Sequence, residues 1–71
     1  MKRGDRVVLT TLGYKDRCGT LDHPAQHAKD GTPQWRVVLL GQHTFLTFRE
    51  DEFRPITEEE EAILKKRGLI G

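Results

Sequence analysis

Residues 34–40 read Gln-Trp-Arg-Val-Val-Leu-Leu and are bounded by Pro33 and Gly41. Aromatic and β-branched side chains between a proline and a glycine are a strand signature. Side chains alternate across a strand, so Trp35, Val37 and Leu39 share one face. Val38 and Leu40 make the opposite face apolar too. Both faces of this strand are therefore expected to be covered, one by the core and one by the C-terminal helix or a second copy of the chain.

The chain has 71 residues, which leaves room for one domain. A domain of this size buries only about 60% of the surface its unfolded form exposes. Its expected stability is about 3–7 kcal/mol. Every element must share one core. A sizeable interior cofactor would remove much of that core, so no cofactor is expected and function falls to the outer surface.

The rest of the chain reads as more short strands. Asp5 to Leu9 reads as a strand after Gly4, with Val7 and Leu9 on one face and Arg6 and Val8 on the other. A loop over residues 10–16 carries Gly13 and Tyr14 at its tip. A second strand covers 17–22. Gly19 inside it marks a bend or a close backbone approach. The polar stretch 22–33 reads as a loop with room for one helical turn between Pro24 and Gly31. Gly41-Gln42 suits a tight II′ hairpin turn, with Gly at its first position. Residues 43–48 return as the partner strand. Residues 49–52 make a charged turn of 3₁₀ type, and 53–56 form a last strand that Pro55 confines to an edge.

Thr57 with Glu60 three residues on is a capping-box pattern. Glu58 to Glu61 lie at the positive end of the following helix, and Lys65, Lys66 and Arg67 at its negative end. Gly68 suits the position after the helix. The apolar patch Ala62-Ile63-Leu64 is narrow, so the helix needs a surface to lean on. The strand over 34–40 is the expected surface. The expected fold is all-β: a five-stranded SH3-like barrel over residues 1–56, with a C-terminal α-helix and tail over 57–71 packed on or beside it.

Gly4-Asp5-Arg6-Val7-Val8-Leu9, the loop Gly13-Tyr14-Lys15-Asp16-Arg17-Cys18 and then Gly19-Thr20-Leu21 together resemble the KOW motif. That motif is a short SH3-like segment of ribosomal proteins and transcription elongation factors. The later order Trp35 to Leu39, Phe45 to Phe48 and Glu52 to Ile56 is similar to the remaining strands of such a barrel. The resemblance implies a nucleic-acid-associated module of the transcription or translation machinery. The Gly-Asp-x-Val start is also similar to that of the trimethoprim-insensitive plasmid dihydrofolate reductase. That enzyme builds its site in a tetramer pore, and its pore-lining sequence has no match here.

Charge favours a different partner. The 12 Lys+Arg against 11 Asp+Glu give a net charge of +1, far from the excess of a nucleic-acid coat. Bases dominate up to Lys29 and acids dominate after it, which allows a basic face beside an acidic one, although solvated charges that keep a small protein soluble explain the pattern better. One cysteine allows no internal disulfide and suits a reducing, cytoplasmic setting. No stretch approaches the ~20 apolar residues of a membrane span.

Candidate chemistry is sparse. His23 and His27 are four apart and could ligate a metal from one helical turn, with Asp22 or Asp30. A plain polar loop explains them better. Cys18 reads as a small buried hydrophobe rather than a nucleophile. The chain has no serine, which excludes a Ser-His-Asp triad. No catalytic residue is assigned; a small oligomeric or metal-dependent enzyme is the remote alternative. Tyr14 and Trp35 are the expected anchors for a partner, with Lys15, Arg17 and Arg36 around them and the loops 10–16 and 23–33 as the surface. The expected function is a non-enzymatic module that binds a protein, with nucleic acid as the alternative partner.

Overall fold

The computed structural model describes residues 2–69. Met1, Ile70 and Gly71 lie outside the described residues, and so does the expected tail beyond Leu69. Five strands form one antiparallel sheet: β1 (Arg6–Leu9), β2 (Cys18–Ala25), β3 (Gln34–Leu39), β4 (Phe45–Arg49) and β5 (Phe53–Pro55). Their order across the sheet is β4-β3-β2-β1-β5. A 3₁₀ turn, Glu50–Glu52, joins β4 to β5, and α1 (Glu58–Lys66) ends the chain.

Every strand contributes to a single core. Val7, Leu9, Leu21, Val37, Leu39, Phe48 and Phe53 form one buried cluster. All seven sit on the face that alternation assigns them, because directly opposed residues of antiparallel strands point the same way. Gly19 occupies the centre of this face, opposite Val7 on one side and Leu39 on the other. A Cβ there would stand 2.5 Å from Val37 Cγ1 and 3.1 Å from the Val38 carbonyl. The neighbouring side chain takes the place that any larger residue would need.

β2 runs three residues further than its sequence suggests. The register shifts between Leu21 and His23, and Pro24 then pairs with Trp35. The His23-Pro24 pair reads as a loop because proline cannot donate to a ladder. It is tolerated because β1 pairs with β2 only from Cys18 to Thr20, so Pro24 has a neighbour on one side alone. No helical turn forms in 22–33. The remaining loop is instead pinned by Arg49, whose Nη2 donates to Asp30 Oδ2 at 2.6 Å and to Thr32 Oγ1 at 3.1 Å.

The β3–β4 connection also differs from expectation. Gln42 N–H donates to the Leu39 carbonyl, and Gly41 has φ +83° as the third residue of that turn. The last paired residues are Val38 and Phe45. The link is therefore a wider loop rather than a two-residue II′ hairpin, and glycine is needed one position later than expected.

Thr57 caps α1 as expected, with reciprocal bonds between Thr57 and Glu60. At the other end Gly68 has φ +72°, and Leu69 N–H reaches the Leu64 carbonyl while Gly68 N–H reaches that of Lys65. That is a Schellman ending. The helix does not lean on β3. Arg54 holds Glu60 through two parallel bonds of 2.8 and 2.9 Å, and Arg6 holds Glu61 at 2.6 Å. Arg54 is directly opposite Val8, and Arg6 is two residues before it on the same outer face. Val8 is only 3% exposed there. The half-buried Glu60 and Glu61 turn toward this strip. Charge selects the docking site: the acids of the first helical turn meet arginines on β1 and β5, whereas β3 offers Arg36 alone.

Gly19→Ala is expected to lower stability by about 1–3 kcal/mol, the usual cost of overpacking, read as a shift in urea midpoint. Acid should loosen the fold as well. Hydrogen bonds from Arg54 and Thr57 hold the Glu60 carboxyl at about 2, below its ordinary 4.5. Bonds from Thr32 and Arg49 hold Asp30 at about 2, below 3.8. Both groups bind a proton less readily folded than unfolded. Their support is complete above the ordinary carboxylate range and is lost as pH falls toward 2. The melting temperature followed by circular dichroism should drop across that window, with a shallower slope in Arg54→Gln.

Candidate functional site

The loop over residues 10–17 is held at both ends. Leu9 N–H donates to the Arg17 carbonyl, Asp16 N–H to that of Leu9 and Arg17 N–H to that of Tyr14. Thr10 N–H donates to the Glu52 carbonyl and Thr11 Oγ1 to Glu52 Oε2 at 3.0 Å. Asp16 takes φ +66°, a left-handed conformation that non-glycine residues seldom adopt. The loop stands as a fixed wall.

A groove of about 330 Å³ lies between this wall and the β3–β4 loop. Tyr14, Arg17, Leu39, Gln42, Thr44 and Leu46 line it. Leu39 is buried, while Leu46 is 37% exposed although it faces inward opposite Val37. Tyr14 is set edge-on to Phe48, with ring centroids 5.3 Å apart and planes at 79°. That geometry is favourable for aromatic pairs and fixes the Tyr14 ring. Beyond the groove, Leu12 at the loop tip is 96% exposed.

The five residues expected to meet a partner separate in the fold. Tyr14 and Arg17 line the groove. Lys15 is exposed on the loop between them. Trp35 is not in the groove: it packs half-buried against the core, directly opposite Phe48. Arg36 points to the other face of the sheet, where its guanidinium lies 4.7 Å from the centre of the Phe45 ring. Of the five, Tyr14 and Arg17 share the groove with Gln42 and Thr44 of the β3–β4 loop and with Leu39 and Leu46. Leu46, Gln42 and Thr44 were not expected in a site. Alternation was the one signal for Leu46: it is two residues from Phe48 on one strand and shares the inner face, while Phe45 takes the outer one.

The histidines do not share a helical face. His23 lies on β2, with Nδ1 2.8 Å from Asp22 Oδ2, and His27 is an exposed loop residue. Among the described residues no three His, Cys, Asp or Glu side chains group as metal ligands. Cys18 is half-buried, and desolvation followed by the nearby Glu60 charge raises its thiol above the ordinary 9.0. It is therefore a protonated thiol at neutral pH. Among the described residues no helix is long and apolar enough to cross a membrane.

A second, shallower depression of about 240 Å³ is lined by Asp5, Arg6, Val7, Pro55 and Ile56. Its one cation, Arg6, is already paired with Glu61. No known family model matches the chain, and comparisons with curated proteins and with solved structures find no match.

Cys18 should react with a disulfide reagent at pH 8 several-fold more slowly than free cysteine, since the thiolate is the attacking form. A rate equal to free cysteine would contradict the shielding described here.

Proposed function

We propose that this chain is a non-enzymatic binding module that recognises a protein partner through the groove between residues 10–17 and the β3–β4 loop. The groove itself carries the reading. Its floor is apolar, its rim is polar, and backbone hydrogen bonds hold the wall over residues 10–17 in place, which reduces the ordering cost of binding. Tyr14 and Leu46 offer the contact surface.

The fold supports this reading. Five strands in the order β4-β3-β2-β1-β5 feed one inner cluster, which is consistent with a sheet curled into an SH3-like barrel. In a domain this small the barrel interior is filled, and recognition belongs to its loops. Charge supports a protein partner over nucleic acid. Arg6, Arg49 and Arg54 each hold a carboxylate of the chain itself, which removes much of the positive surface a phosphate backbone would need. The shielded Cys18 thiol favours binding over nucleophilic catalysis.

The test is capture from a host lysate on immobilised chain, with and without nuclease, at two salt levels. The expected partner is a protein whose capture survives nuclease, changes little with salt and falls at least fivefold with Leu46→Ser. Capture abolished by nuclease, and weakened steeply by salt, would replace this reading with a nucleic-acid module.

A further inference from the structure

Arg17 is the one charged side chain in the groove lining, and no carboxylate lines it. The other arginines of the sheet are engaged. Arg6, Arg49 and Arg54 hold carboxylates, and Arg36 lies over Phe45. Arg17 makes no ion pair among the described residues. Its backbone is fixed at both N–H and carbonyl, so the guanidinium extends from a rigid base. Next to it lie the Tyr14 ring, buried Leu39 and half-exposed Leu46.

From this juxtaposition we infer that the groove takes a short peptide segment presenting a large apolar side chain beside a carboxylate. The inference rests on the protein-binding reading above and names the partner's chemistry. The volume of about 330 Å³ is at the low end of ligand pockets, ~300–1,000 Å³. It admits one large side chain with its adjoining peptide unit. Tyr14, Leu39 and Leu46 contact the apolar group. Gln42 and Thr44 offer hydrogen bonds to the peptide unit. Arg17 meets the carboxylate with the planar fork that suits it. The shallower depression makes the contrast clear, because it contains Asp5 and its Arg6 is occupied by Glu61. Of these two depressions, the groove between the loops is the one whose lining cation makes no ion pair among the described residues.

Titration of the full chain, followed by ¹H–¹⁵N correlation spectra, tests this with two blocked dipeptides. They are N-acetyl-Leu-Glu-amide and its neutral counterpart N-acetyl-Leu-Gln-amide. Both should shift the Tyr14, Gln42 and Leu46 amides. The acidic peptide should bind about threefold more tightly, a preference of the size an exposed ion pair supplies. Arg17→Gln should erase that preference, so that the two peptides bind with equal affinity. Equal affinity of the two peptides for the unaltered chain would overturn the acidic specificity and leave the groove as a protein-binding site. No shift with either peptide at about 10 mM would overturn both readings.

Discussion

The fold depends on how closely β2 approaches β3 at Gly19. There the Val37 side chain occupies the space that a Cβ would claim. Gly19 lies between Val7 and Leu39 in the ladders, so the contact sits at the middle of the inner face. A domain this small has no second core to absorb a misfit. Removing the glycine's freedom would displace Val37, and with it Leu39 and the floor of the groove. The core and the candidate site are thus built on the same strand pair.

Electrostatics acts on the outside of the sheet. Most of the acids lie from Glu50 onward, while the bases divide evenly between the stretch up to Lys29 and the rest of the chain. Folding joins them, with Glu60 and Glu61 of the first helical turn on Arg54 and Arg6. Such partly exposed pairs contribute little each, typically 0–1 kcal/mol. Their effect is to select where α1 docks. Arg17 is left as the groove's uncommitted cation, beside an apolar floor.

Much of the fold was legible in the chain. Alternation identified the inner residues of β1 and β3, proline marked β5 as an edge, and the capping box and Gly68 bounded α1. These features depend on local rules, so they can be read locally. The misreadings share a different cause. Pro24 entered β2 because β1 ends before reaching it. The β3–β4 link widened because its register is set by the strand pairing rather than by Gly41. The helix chose β1 and β5 because their arginines face outward there. Of the site, Tyr14 and Arg17 were legible as a loop aromatic and a nearby base. Leu46, Gln42 and Thr44 were not, because nothing local says which loop lies opposite another.

Composition and periodicity by themselves determined a single-core, mostly β chain with a capped terminal helix. These follow from short-range sterics and from the area a chain of this length can bury. Which side chains meet across the sheet was decided only by tertiary structure. Trp35 went to the core and Tyr14 to a groove because Phe48 pairs with one ring and receives the edge of the other. That choice depends on strand register, a relation between distant residues that no local pattern encodes.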